Sequence, residues 1–313
     1  MEELSSHNIG VLMGGVSSER DISLKSGRAV VKALSDRGFK VIAVDITTEE
    51  KESITNLIKK DDIDLVFIAL HGKFGEDGQI QAILDELGLP YTGSGVLASR
   101  IAMDKFLSRR YFLDWKLNVP KSIFLYKSSY KKDNLTFSFK FPIVVKPATQ
   151  GSSIGLSIVD DHSSLNKAIL QAFAYDEKVL IEQYVKGREF TVGILEDRSL
   201  PIIEIIPKSK FFDYEAKYKH GLTDYIVPAN IEDKIATQIK EAALIAHKAL
   251  GCFGCSRVDL ILDQGQNPVV LEVNTIPGLT ETSLLPKAAR NAGIEFDELC
   301  IKLLNLAING KKE

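Results

Sequence analysis

Leu65-Val66-Phe67-Ile68-Ala69-Leu70 is an unbroken apolar run, and a strand without a polar face has to be covered by other elements on both sides. The run is far shorter than the roughly 18 apolar residues that cross a bilayer, so it is expected inside a soluble fold. Sheets covered on both faces are mostly parallel, with helices carrying the chain from one strand to the next. The neighbouring sequence has that form. Residues 8–13 and 40–45 read as two further strands, and between them Ala29, Val30, Ala33 and Leu34 recur at helical spacing before Gly38 stops the helix. After the apolar run, Ile80, Ile83, Leu84 and Leu87 form one helical stripe that ends at Gly88. Residues 1–101 are therefore expected to form an α/β domain on a parallel sheet.

The pattern changes after Asp104. Short strands are expected at 122–125, 142–147, 156–159 and 179–183 with a helix near 164–174, an α+β segment spanning 102–186. From residue 187 on, the sequence predicts strands at 190–195 and 200–206, a long helix at 232–250, and a strand pair, 256–262 and 269–273, about a turn at 263–266. This third expected domain runs to residue 313. A chain of 313 residues with 45% hydrophobic and 26% charged residues has material for roughly two or three cores and is neither disordered nor collagen-like.

Lys plus Arg total 39 against 42 Asp plus Glu, a formal net charge of -3, so no overall attraction draws the chain to nucleic acid or an anionic membrane. Any phosphate must be held by local groups. The first ten residues carry Glu2 and Glu3 and no apolar segment of the secretory kind, and the chain holds 3 Cys, which together point to a reducing cytoplasm. Cys252-Phe253-Gly254-Cys255 lacks a second pair or a His run for zinc and the βα setting of a redox motif.

Arg257-Val258-Asp259 and Glu272-Val273-Asn274 carry the most chemistry. Strand alternation puts Arg257 and Asp259 on one face and Glu272 and Asn274 on one face, and the hairpin can bring all four together. Two carboxylates and an amide are hard oxygen ligands suited to Mg²⁺, beside which Arg257 could clamp a phosphoryl group or an oxyanion. The same pattern also fits a solvated sheet face with a cross-strand ion pair. The small-residue loop Thr275-Ile276-Pro277-Gly278-Leu279-Thr280 follows and would place backbone N–H groups beside the proposed metal. Lys146 ends a strand and precedes Gly151-Ser152-Ser153-Ile154-Gly155, which fits a phosphate-closing loop or an ordinary hairpin turn. His71 follows the buried strand, where ligand sites of open α/β sheets form, or is simply structural. Glu19 lies in the equivalent loop after the first strand, where a helix N-terminus also favours an acid.

Taken in order, Gly14 to Arg20, His71 to Gly78, Met103-Asp104-Lys105, Val145 to Gly155, Phe212 to Tyr218, Arg257 to Asp259, and Glu272 to Leu284 resemble the D-alanine-D-alanine ligase family of the ATP-grasp superfamily, from about residue 8 to residue 300. The resemblance implies a mixed α/β and α+β, three-domain ATP-grasp architecture with an N-terminal parallel-sheet domain. It implies D-alanine and ATP as substrates, two Mg²⁺ (or Mn²⁺) ions, and a cytoplasmic homodimer serving peptidoglycan synthesis without nucleic-acid or membrane partners. By matching position, Lys105 and Lys146 look like the phosphate-contacting lysines, Glu182, Gln183, Val185 and Glu189 like the adenosine site, and Ser153 and Lys217 like further contacts of the ATP. Gln183 stands where many relatives have Lys.

Asp259, Glu272 and Asn274 look like the metal ligands, Arg257 and Gly278 like the oxyanion stabilisers, and Glu19 and His71 like contacts of the first D-alanine. Ser152 and Tyr218 look like the groups tying a closing loop to Glu19, and Ser283 with Leu284 like the receptor of the second substrate's carboxylate. Residues 208–227 would be the lid. The implied reaction joins two D-alanines through a D-alanyl phosphate. Ligation of D-alanine to D-lactate or D-serine, or nucleotide binding without turnover, are the alternatives.

Overall fold

The computed structural model describes residues 2–132, 135–208 and 223–310, and among them three sheets form. A short helix α1 (Glu2–Ser5) leads into β1 (Ile9–Gly14), α2 (Arg20–Asp36), β2 (Val41–Ile46), α3 (Lys51–Lys60), β3 (Leu65–Ile68) and α4 (Gln79–Glu86). The three strands pair in parallel in the order β2-β1-β3. Every residue of β1 and β3 is buried, as an apolar strand between helical layers requires. Gly27 lets α2 settle on β1, because a Cβ there would lie 2.4 Å from the Cβ of Met13.

Two helices follow that periodicity does not reveal, α5 (Val96–Met103) and α6 (Lys105–Asp114). Asp104 caps the second: its Oδ1 accepts the backbone N–H groups of Phe106 at 2.8 Å and Leu107 at 3.3 Å, and an Asp at that point is the signal that marks a helix start. Strands β4 (Ser122–Tyr126), β5 (Ile143–Pro147) and β6 (Ser157–Val159), helix α7 (His162–Ala172) and strand β7 (Lys178–Gln183) come next. The strands form an antiparallel sheet in the order β4-β7-β5-β6. Leu165, Ala168 and Ile169 of α7 pack on Ile143, Val145 and Ile181.

The largest sheet holds β8 (Gly187–Leu195), β9 (Arg198–Ser199), β10 (Ile203–Pro207), β11 (Thr223–Ile226), β12 (Cys255–Asp263) and β13 (Pro268–Asn274). It is antiparallel in the order β11-β10-β8-β12-β13, with β9 paired to β8. Helix α8 (Asp233–Ala249) covers one face through Ile235, Ile239, Ala243 and Ala246. The strand expected at 200–206 begins only at Ile203, since Pro201 has no N–H for a ladder. The last residues of the expected lid are also regular: 223–226 pair with β10, with Tyr225 opposite Ile205. Residues 209–222, and with them Lys217 and Tyr218, lie outside the described residues.

Helices α9 (Leu284–Asn291) and α10 (Phe296–Asn309) close the described chain, and a capping box between Glu295 and Glu298 opens α10. Both return to the first sheet, where Leu285, Leu299 and Leu303 share a core with Val11, Leu34 and Phe67. That return sets the loop after β13 against the loops after β1 and β3. The candidate site forms there.

Candidate active site

Glu19 stands directly before α2 and is 8% exposed. Its Oε1 accepts a hydrogen bond from the Ser152 hydroxyl, so the loop after β5 reaches the loop after β1. Gly72 leaves room for this carboxylate: its φ is +73°, and a Cβ there would lie 2.7 Å from Glu19 Oε2. His71 is 4% exposed, with Nε2 3.0 Å from Ser26 Oγ and Nδ1 3.5 Å from Glu76 Oε1. The same Ser26 oxygen accepts the Leu279 N–H at 3.2 Å, so Ser26 links His71 to the loop after β13.

On the large sheet, Arg257 is the register partner of Asn274 and Asp259 that of Glu272, with a bulge after Asp259. These are not freely solvated side chains: Arg257 and Asp259 each keep 17% side-chain exposure. Arg257 grips Asp259 through Nε at 2.9 Å and Nη2 at 2.8 Å, and the Thr191 hydroxyl donates to Asp259 Oδ1 at 2.6 Å. Lys105 Nζ is 3.3 Å from Glu272 Oε2 and donates to the Gln150 carbonyl at 2.8 Å. Asn274 Oδ1 accepts the Ile276 N–H at 3.0 Å, which shapes the turn leaving β13.

A second group of charges is buried between β5, β7 and α6. Lys146 Nζ lies 2.8 Å from one oxygen of Glu182, while the other oxygen pairs with Arg109, which also donates to the Pro120 carbonyl at 2.8 Å. Burial pushes the Lys146 ammonium below its usual range, with Arg109 and Lys105 adding to the effect and Glu182 opposing it. Burial alone would raise Glu182, but Lys146 and Arg109 outweigh it and hold the carboxyl below its usual range. Three cations, Lys105, Lys146 and Arg109, thus face two carboxylates, Glu182 and Glu272. Lys105 and Lys146 both line one cavity, and such cationic donors are suited to an anionic phosphate.

Two cavities frame these groups. The larger, about 710 Å³, is lined by Glu19, His71, Ser152, Arg257, Asn274, Gly278, Ser283 and Leu284 among others. The smaller, about 180 Å³, is lined by Lys146, Ser153, Glu182, Gln183, Val185 and Glu189 among others. They share Lys105, Ile205, Asp259 and Glu272, so two of the three proposed metal ligands stand where the cavities meet, and the third, Asn274, lines the larger one. Ser283 Oγ accepts the Thr280 N–H at 3.1 Å beside Gly278, where a Cβ would come within 3.0 Å of that oxygen. Arg109, Ser26 and Thr191 escape a reading of the sequence, since no local pattern marks them. Cys252 and Cys255 stand apart from the site, and burial pushes both thiols up to about 12, so neither is a ready thiolate.

Known proteins resemble the chain over nearly its whole length. Residues 113–305 match the family described as D-ala D-ala ligase C-terminus, and residues 8–57 and 47–94 match D-ala D-ala ligase N-terminus. A D-alanine--D-alanine ligase of Geotalea uraniireducens is 45% identical over 308 residues, 98% of this chain and 97% of that protein. One from Halalkalibacterium halodurans is 42% identical over 305 residues, 96% of this chain and 99% of that protein. The crystal structure of a D-alanine--D-alanine ligase from Bacillus anthracis complexed with ATP aligns with a TM-score of 0.85 at 35% identity, covering 97% of this chain and 98% of that one. The VanG D-Ala:D-Ser ligase of Enterococcus faecalis aligns with a TM-score of 0.80 at 31% identity, over 96% and 98% of the two chains.

Proposed function

The chain belongs to the D-alanine-D-alanine ligase family, it is an ATP-dependent ligase that joins two D-alanines, and we propose that a D-alanyl phosphate forms where its two cavities meet. The observation that carries this site assignment is the shared wall: Lys105, Asp259 and Glu272 face both cavities at once. A nucleotide in the smaller cavity and an amino acid in the larger would meet there.

In this reading the adenosine lies along Gln183, Val185 and Glu189. The phosphates extend toward Ser153, Lys146 and Lys105, which offer a hydroxyl and two cationic donors. Glu182 acts through Lys146, since two cations already occupy its carboxylate. The first D-alanine places its ammonium at Glu19 and its carboxylate near His71, whose orientation Ser26 holds. A carboxylate is a poor electrophile, and phosphorylation by ATP makes it reactive. The amine of the second D-alanine, with its carboxylate at Ser283 and Leu284, then attacks. Arg257 and the Gly278 N–H are positioned to stabilise the oxyanion until phosphate leaves. Lys217 and Tyr218, expected on the lid, would help exclude the water that hydrolyses an acyl phosphate.

Divalent metal fits the residues present. Asp259 and Glu272 are cross-strand partners, each already facing a cationic side chain, so the site compensates positive charge, and Asn274 adds a third hard oxygen. Among the described residues no three His, Cys, Asp or Glu converge on a cage, in keeping with Mg²⁺ or Mn²⁺ completing its shell with phosphate oxygens and water. Two such ions, when bound, would neutralise charge on the transferring phosphoryl group. We further propose, on family membership alone, that the protein is a cytoplasmic homodimer supplying peptidoglycan precursors. No helix among the described residues is long and apolar enough to cross a membrane.

The test is an incubation with ATP, Mg²⁺ and D-alanine, with D-lactate and D-serine competing, from pH 6 to 9 around the ordinary α-amino pKa of roughly 8. Mass spectrometry should show D-alanyl-D-alanine dominating, with one phosphate released per dipeptide. Mostly depsipeptide at neutral pH, or mostly the mixed D-serine product, would overturn the acceptor assignment.

A further inference from the structure

Four cationic side chains among the described residues line the larger cavity: Lys25, Lys105, Arg257 and Lys287. Two are committed to carboxylates, Lys105 to Glu272 and Arg257 to Asp259. Lys25 is exposed, on the part of α2 nearest Glu19. Lys287 is different. It lies on α9, one helical turn after Ser283, whose carbonyl accepts its backbone N–H at 3.0 Å, so the two side chains rise on one helix face. Its ammonium sits 4.4 Å from the centre of the Tyr225 ring, and among the described residues it has no carboxylate partner. Tyr225 itself is fixed by strand register, opposite Ile205, and both of these side chains line the same cavity wall.

A cation–π contact orients an ammonium without neutralising it. Partial burial therefore lowers the affinity of Lys287 for its proton, with no acidic neighbour to oppose the effect. A carboxylate entering beside Ser283 would supply the missing counter-charge.

Resting on the ligase reading above, we propose that Lys287 is a specificity-determining residue of this chain: its ammonium, held against Tyr225, selects acceptors that carry a carboxylate next to the attacking amine. Ser283 and Leu284 then provide shape and hydrogen bonds, Lys287 provides the charge, and Arg257 remains with Asp259 and the reacting centre. Acceptors of the same size but without the carboxylate are disfavoured by the loss of that one charge pair.

The experiment compares D-alanine with D-alaninamide as acceptor, D-alanine being the donor in both cases, since the amide has no carboxylate to phosphorylate. Products are separated by mass spectrometry for wild type, Lys287→Met, Lys287→Arg and Lys25→Met. Lys287→Met should lower kcat/KM for D-alanine as acceptor about 10- to 100-fold, the loss of one hydrogen bond to a charged group. Use of D-alaninamide should be nearly unchanged, so the preference between the two acceptors collapses. Lys287→Arg should restore most of it, and Lys25→Met should leave it intact. The assignment is overturned if Lys287→Met keeps the wild-type preference, if it lowers both acceptors equally as a structural lesion would, or if Lys25→Met abolishes the preference instead. A wild-type protein that makes no dipeptide would remove the ligase reading and the assignment with it, an outcome visible before any variant is measured.

Discussion

The Ser152 hydroxyl donates to Glu19 Oε1 across 133 residues of chain, and this contact joins the loop on the proposed nucleotide side to the loop on the proposed amino-acid side. Ser152 and Ser153 both hold left-handed backbone, with φ of 51° and 60°, a conformation that costs a non-glycine residue roughly 1–2 kcal/mol. The surrounding contacts have to outweigh that strain. Glu19 in turn has its space from Gly72, where a Cβ would crowd its other oxygen.

Comparing Ser152→Ala with Ser152→Gly separates the hydroxyl from the backbone. Both lose the bond to a charged group, so kcat/KM for D-alanine should fall about 10- to 100-fold in each. Only the glycine variant also relieves the left-handed strain, so its Tm should equal or exceed that of the alanine variant. Steady-state kinetics and thermal melts check this, and an undiminished Ser152→Ala would show that the loop closes without the contact.

Arg257→Ala should lower kcat about 10²- to 10³-fold, the usual cost of one oxyanion donor. Because the guanidinium holds Asp259 with two bonds, Arg257→Lys should recover only part of the loss: a point charge cannot reproduce the fork. Far-UV circular dichroism should be unchanged in both. A lysine variant with wild-type kcat would show that charge alone suffices.

Exhaustive chelation should abolish dipeptide synthesis, and added Mg²⁺ or Mn²⁺ should restore it, because Asp259, Glu272 and Asn274 offer only hard oxygen ligands. Asp259→Asn and Glu272→Gln should each raise the metal concentration needed for half-maximal rate by tenfold or about that order, as ligand changes in charged sites do. Full activity in the chelated enzyme would exclude the metal role.

Stability should depend on pH through His247, which is 2% exposed and has Nδ1 2.7 Å from Ser256 Oγ. Burial pushes its pKa from 6.5 down to about 4. The unfolded chain therefore takes up a proton near 6.5 and the folded chain only near 4, so stability is fully present above 6.5 and falls as pH drops through that window. The shift corresponds to about 3 kcal/mol. Melts of His247→Gln and wild type between pH 7 and pH 4 should converge at the acid end, and parallel profiles would show that the ring is not held neutral.

Much of the fold is legible in short stretches of sequence. The strand from Leu65 declares its burial by having no polar residue, and strand alternation puts Arg257 with Asp259 and Glu272 with Asn274 on one face of each strand; that the two faces coincide is decided by the bulge after Asp259, which moves its partner from Leu271 to Glu272. The helices at Val96–Met103 and Lys105–Asp114 are harder to read: each is short and carries no strong apolar stripe. The helix at Leu284–Asn291 does turn one apolar face, with Leu285, Ala288 and Ala289, to the core, but about two turns are too brief for periodicity to stand out.

By itself the sequence determined the parallel first sheet, the strand pair that carries the candidate metal ligands, and a set of ordered motifs whose order marks the family. These depend on periodicity and on residues near one another in the chain; the bulge that pairs Asp259 with Glu272 came only with the structure. Tertiary structure alone decided that Arg109 meets Glu182 from 73 residues away, that Ser26 bridges His71 and the Leu279 N–H from 253 residues away, and that Lys287 faces the Tyr225 ring. Such contacts exist because the last helices fold back onto the first sheet, burying Leu285, Leu299 and Leu303 with Val11 and Phe67. Burial of apolar surface drives that return without regard to direction along the chain, so the polar groups it brings together leave no local pattern to read.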